Sequence, residues 1–154
     1  MKKIHIVYHG AAWVGDYLQE KLENPPRPIK KDLRLKSYLF DILQGLAFLH
    51  SQSIIHLDLK PTNLYCFYHN NDSVRRVKIG DFGLVKTLTE GRVQLDHVCG
   101  TFGYIAPEVK KGSYVDCKAD IWGLGLILYF MSVANMPHHV KGYKYGETEI
   151  PLRK

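Results

Sequence analysis

Between residues 54 and 67 the chain changes character twice. Ile54-Ile55 leads in, Leu64-Tyr65-Cys66-Phe67 leads out, and His56-Leu57-Asp58-Leu59-Lys60-Pro61-Thr62-Asn63 lies between them. Charges and amides cost free energy in an apolar interior unless they are paired. Asp58, Lys60 and Asn63 therefore cannot belong to an ordinary core segment. The stretch reads as a loop fixed between two buried elements, which presents its polar groups to a ligand. Any fold available to this chain has to build a scaffold around that loop.

The flanking sequence supplies one. Leu35, Leu39, Ile42, Leu43, Leu46 and Leu49 recur at steps of three and four. That period predicts an amphipathic helix over about 31–51, with Asp32 near its N-terminus and the leucine stripe facing a core. Two β-type runs, 63–67 and 74–79, are joined by Tyr68-His69-Asn70-Asn71-Asp72-Ser73 and predict a hairpin. Gly80-Asp81-Phe82-Gly83 follows the second run. Residues 84–104 lack sustained periodicity and read as a long connection, of the kind that is functional or disordered. Asp120 opens an apolar helix to about Val133. A short strand is expected at 4–7, a break at 8–12, and a helix from Asp16 to about Leu22. Three prolines then make a rigid loop at 25–28. Residues 135–154 read as a loop-rich tail. The class is α+β, mainly α-helical, with a small β-hairpin carrying the two polar loops.

Composition narrows the function. The 154 residues suit one domain, and 45% hydrophobic with 23% charged residues is a globular balance. The net charge of +6 is spread over Lys2-Lys3, Lys30-Lys31, Arg75-Arg76 and Lys110-Lys111. Four separated pairs are solvated surface rather than a nucleic-acid patch. The longest apolar run, 121–131, is too short for a bilayer span, which needs about 20 residues. Cys66, Cys99 and Cys117 form no paired motif and read as reduced thiols of an intracellular protein, in cytoplasm or nucleus.

The hairpin returns the chain on itself, so Asp58 and Asp81 can lie side by side. Phosphoryl transfer asks little covalent chemistry of a protein. It needs an acceptor held in line, divalent metal across the phosphates, and positive charge on the transferred group. Asp81 offers a carboxylate and Asn63 a neutral carbonyl, both suited to Mg²⁺. Lys60 offers a point charge, and Asp58 is left to orient a hydroxyl and take its proton.

These residues resemble the C-terminal lobe of a eukaryotic protein kinase. His56-Leu57-Asp58 is similar to the catalytic-loop triplet, Asp81-Phe82-Gly83 to the metal-binding triplet, and Ala106-Pro107-Glu108 to the end of the activation segment. The run from Asp120 to Gly125 resembles the helix whose buried Asp caps the catalytic-loop backbone. The likeness extends over about 4–133. It implies a serine/threonine kinase, because Lys60-Pro61-Thr62-Asn63 resembles that type of catalytic loop. It implies ATP and Mg²⁺, with Asp58, Lys60 and Thr101 catalytic. Asn63 and Asp81 would hold metal, and Tyr8 and Gly10 would lie in the adenine-binding hinge, beside Lys60, Asn63 and Asp81 in the cofactor site. His56, Phe82, Glu108 and Asp120 would be structural. The partner implied is a protein with Ser or Thr acceptors.

Two departures carry expectations. Leu57 stands where most members have an Arg that reads an activation-segment phosphate, and His97 occupies the usual phosphosite. Activity is therefore expected not to depend on phosphate there, while Thr87 and Thr89 remain candidate regulatory sites. The chain also has no glycine-rich phosphate loop and no strand lysine. The resemblance divides it into a last N-lobe strand and hinge (1–12), a C-lobe (13–134) and a tail (135–154), a partial kinase domain with most of the N-lobe absent. Glu108 is expected to lack its arginine. The chain alone is then expected to be weak or inactive, completed by an N-lobe segment or a partner chain. The alternative is a pseudokinase-like or truncated binding module without catalysis.

Overall fold

The computed structural model describes residues 12–13, 33–68 and 75–133. The hinge residues Tyr8 and Gly10, the segments expected at 4–7 and 16–22, and the tail lie outside the described residues.

Helix α1 spans Leu33–Ser51 and forms where the leucine period required it. Its buried face differs in detail. Tyr38, Ile42, Leu46 and Leu49 are buried, while Leu43 is 42% exposed. Leu43 follows Ile42 by about 100° of rotation, which takes it off the core side. Asp41, on that core side, is buried as well. Its Oδ2 accepts the Val77 N–H at 2.9 Å and its Oδ1 lies 3.3 Å from Arg76 Nε.

Those partners belong to the expected hairpin. Strands β3 (Leu64–Tyr68) and β4 (Arg75–Ile79) pair antiparallel, with Leu64 opposite Ile79 and Cys66 opposite Val77. Asn63 is not part of the strand. It closes a 3₁₀ turn, Pro61–Asn63. Strand β1 (Ala12–Trp13), which starts at the last residue of the break expected at 8–12, adds to the far side of β3. The sheet order β1-β3-β4 leaves β4 at the edge, clipped to α1 by Asp41. Gly45 lets the two elements close up, since a Cβ there would lie 3.0 Å from Ile79 Cδ1.

The connection 84–104 is more structured than its lack of period implied. Strand β2 (Ile54–Ile55) pairs with β5 (Lys86–Thr87), and β6 (Val93–Gln94) pairs with β7 (Tyr114–Val115). Two-residue strands leave no alternation to read. Helix α2 is the short turn Pro107–Lys110, and α3 spans Lys118–Val133. No helix among the described residues is long and apolar enough to cross a membrane.

Two apolar clusters result. The first joins α1, β3, β4 and α3 through Tyr38, Ile42, Leu46, Leu64, Ile79 and Ile127. The second joins β2, the 84–106 segment, α2 and β7 through Ile55, Leu88, Leu95, Val109 and Val115. The loop 56–63 runs between them. Leu57 enters the second cluster and Leu59 the first, so alternate residues pin the loop from two sides.

Candidate active site

Asp120 sets the backbone of the loop. Its side chain is fully buried in the first turn of α3. Oδ2 accepts the His56 N–H and Oδ1 the Leu57 N–H, both at 2.9 Å. Leu57 has a φ of 67°, a left-handed conformation that a branched side chain disfavours. Two charge-assisted bonds to consecutive amides hold it there. His50, in the last turn of α1, donates Nε2–H to Asp120 Oδ2 at 2.8 Å. Sequence reasoning passed over His50. It stands one residue beyond the apolar stripe, and nothing in its spacing marks a contact 70 residues away.

Two close approaches complete the frame. A Cβ on Gly123 would lie 2.9 Å from the Leu59 carbonyl oxygen. A Cβ on Gly100, whose φ is 103°, would lie 2.8 Å from that of Leu57. Helix α3 and the 84–106 segment thus both touch the loop backbone at glycine.

His56 ties this loop to the one carrying Asp81. Its Nε2 donates to the Gly80 carbonyl at 3.0 Å, and its Nδ1 accepts the Asp58 N–H at 3.3 Å. The two bonds together define the Nε2–H tautomer. Gly80 N–H donates in turn to the Asn63 carbonyl at 2.9 Å. Phe82 meets the His56 ring edge-on at 5.5 Å. The two loops therefore lie side by side, as the hairpin allows.

The polar groups converge on Asp58. Its Oδ1 accepts the Thr101 hydroxyl at 2.6 Å. Its Oδ2 accepts Lys60 Nζ at 2.9 Å and Asn63 Nδ2 at 3.1 Å. Lys60 also donates to Thr101 Oγ1 at 2.5 Å, and Asn63 Nδ2 to the Asp58 carbonyl at 2.8 Å. Burial raises the Asp58 carboxyl, but the Thr101 and Lys60 hydrogen bonds, the Lys60 charge and the Asn63 amide outweigh it and hold the group below its ordinary value. The aspartate is ionised at neutral pH and faces three donors.

Asp81 is exposed, with a φ of 58°, and its Oδ1 accepts Gly83 N–H at 3.3 Å. Asn63 Oδ1 takes no hydrogen bond among the described residues. One free carboxylate oxygen and one amide oxygen, on adjoining loops, are hard donors of the kind Mg²⁺ prefers, with waters and phosphate completing its shell. The donor set fits that ion. Glu108 lies in the first turn of α2, partly buried. The segment 84–106 brings Thr101 to Asp58 and leaves His97 exposed.

Comparison with known proteins agrees with this geometry. The protein kinase domain model matches residues 6–150. Serine/threonine-protein kinase mos of Gallus gallus is 45% identical over 104 residues, covering 66% of this chain and 28% of that protein. Serine/threonine-protein kinase cds1 of Schizosaccharomyces pombe is 42% identical over 108 residues, 66% of this chain and 22% of that one. Serine/threonine-protein kinase polo of Drosophila melanogaster is 38% identical over 121 residues, 77% and 20% respectively. The chain belongs to the eukaryotic protein kinase family, on its serine/threonine side. It spans less than a third of the length of each of these relatives.

Proposed function

We propose that the chain carries the acceptor side of a serine/threonine protein kinase site, which transfers the γ-phosphoryl group of ATP to a protein hydroxyl. The observation that carries this reading is the Asp58 carboxylate, ionised and held by Thr101, Lys60 and Asn63. An acceptor hydroxyl donating to Asp58 has its oxygen fixed toward the phosphorus. As the new P–O bond forms and the bond to the ADP oxygen breaks, the hydroxyl proton passes to Asp58. Lys60, bonded to both Asp58 and Thr101, offers its charge to the transferred group. Thr101 fixes the separation of the loop from the 84–106 segment.

Asp81 and Asn63 are the residues that would hold magnesium. Bound there, it supplies positive charge that offsets the phosphate oxygens. Tyr8 and Gly10 are the proposed hinge contacts to adenine. Incubation of the chain with γ-labelled Mg–ATP and a Ser/Thr-rich protein tests the reading. The chain alone is expected to be weak, so label accumulates slowly; it is expected in phosphoserine and phosphothreonine and not in phosphotyrosine. Labelling of tyrosine, or label incorporation that Asp58→Asn leaves intact, would contradict it.

A further inference from the structure

Helix α1 has two apolar faces, and only one of them meets a core. The buried face is Tyr38, Ile42, Leu46 and Leu49. At about 100° per residue, the opposite side of the helix runs through Ser37, Phe40, Gln44, Ala47, Phe48 and Ser51. All six are exposed, Phe40 at 57% and Phe48 at 65%, and the half-exposed Leu43 flanks them. From Ser37 to Ser51 the only side chain of fixed charge is Asp41, which is buried against β4. A helix that is apolar on every side belongs inside an assembly or a bilayer. No helix among the described residues is long and apolar enough for a bilayer, so the outer face of α1 is a surface for protein.

That face is symmetric about Gln44. Phe40 and Phe48 stand one turn before and one turn after it, about 40° to either side. Ser37 and Ser51 stand two turns away, about 20° to either side. When two copies of such a face meet antiparallel about a two-fold axis, residues equally far before and after the centre come level. Phe40 of one copy then lies beside Phe48 of the other and over the small side chain of Ala47. The row Phe40-Gln44-Phe48 is the ridge of each helix, and the groove beside it is floored by Ala47. Charge agrees with this occupant. Lys36 comes level with Gln52, so no like charges meet, although the chain carries a net +6. A strongly charged partner would find nothing on this face to pair with.

We propose that the outer face of α1 is a self-docking surface, on which a second copy of this chain packs antiparallel with the two-fold axis at Gln44. The proposal stands apart from the kinase reading. The face is about 21 Å long and about 10 Å wide, well under the roughly 800 Å² per partner of a standard interface. The dimer is therefore weak and concentration-dependent, with a Kd on the order of 100 µM.

Sedimentation velocity on the full chain, from about 10 µM to about 1 mM, brackets that value. The wild type is expected to pass from one chain to two across the range. Phe40→Glu and Phe48→Lys, each with the circular dichroism of the wild type, should each weaken association about tenfold, the scale of one buried aromatic side chain. An equimolar mixture of the two should associate about tenfold more tightly than either alone, since position 40 of one copy meets position 48 of the other. Gln44→Cys should link copy to copy under mild oxidation faster than the wild type does. A dimer that both charged variants leave intact, or a mixture no tighter than its components, would overturn the proposal. A wild type that stays single to about 1 mM would also overturn it. Protection of Phe40 and Phe48 from hydroxyl-radical oxidation in that single chain would assign the face to the chain's own other residues instead.

Discussion

His50 Nε2 and Asp120 Oδ2 lie 2.8 Å apart, joining the end of α1 to the start of α3 directly beneath the candidate catalytic loop. The same carboxylate accepts the amides of His56 and Leu57. Asp120→Ala would leave both amides buried without an acceptor, at about 1–3 kcal/mol each. Denaturant unfolding should record a loss on that scale for Asp120→Ala and a smaller one for His50→Ala. A neutral Asp120→Ala would remove the cap from the account.

The glycines beneath and beside the loop make a second prediction. Gly123→Ala forces a methyl to within 2.9 Å of the Leu59 carbonyl. Overpacking of this kind costs about 1–3 kcal/mol. Gly125, in the same helix, meets nothing within 4 Å, so Gly125→Ala should be neutral or slightly stabilising. Equal midpoints for the two variants would contradict the close approach of α3.

Much of this site was legible in the sequence, and the reasons are local. Polar residues flanked by apolar runs had to be a loop, and a hairpin had to return that loop to Asp81. Leu57 and Leu59 gave no sign that they enter different clusters, because both are simply apolar. Nothing in the sequence marks Asp41 as buried, since a carboxylate on a helix is usually at the surface. It is buried because the edge strand β4 offers it the Val77 amide and Arg76. His50 and the two-residue strands of 84–115 depend on contacts across long sequence separations, which no periodicity encodes.

The pH dependence of stability follows from Asp58. Its folded pKa is lowered, so its contribution is fully present above the ordinary carboxyl value and is lost as pH falls through the folded value. The wild type should therefore lose more stability than Asp58→Asn as pH falls from neutrality through the ordinary carboxyl value and below it. Parallel curves for the two proteins would show that the surrounding donors do not favour the ionised form.

Leu57 is 8% exposed and packs with Leu88 and Leu95 in the second cluster, while His97 is exposed. Apolar packing joins the loop to the 84–106 segment at a position where a phosphate-reading arginine is absent. Phosphosite mapping of cell-derived protein should find no phosphate beside Gly100 that activity requires, and Leu57→Ala should cost about 2–5 kcal/mol of stability. A required phosphate on the residues beside Gly100 would contradict the first expectation.

Asp81 and Asn63 as metal-holding residues predict a ligand effect. Mg–ATP should raise the melting temperature of the wild type, and EDTA should abolish the rise. Asp81→Asn should weaken the shift, since it removes the only carboxylate of the proposed pair. Equal stabilisation of both proteins by Mg–ATP would argue against Asp81 as a ligand.

The central claim is that Asp58 receives the acceptor proton. Its most direct test is single-turnover transfer from Mg–ATP to a serine acceptor by the wild type and by Asp58→Asn. The asparagine keeps the shape and the Thr101 contact but cannot take a proton. The rate should fall by about 10²–10⁴-fold, with ATP-dependent thermal stabilisation unchanged. A transfer rate in Asp58→Asn within about twofold of the wild type, far inside that range, would contradict the assignment.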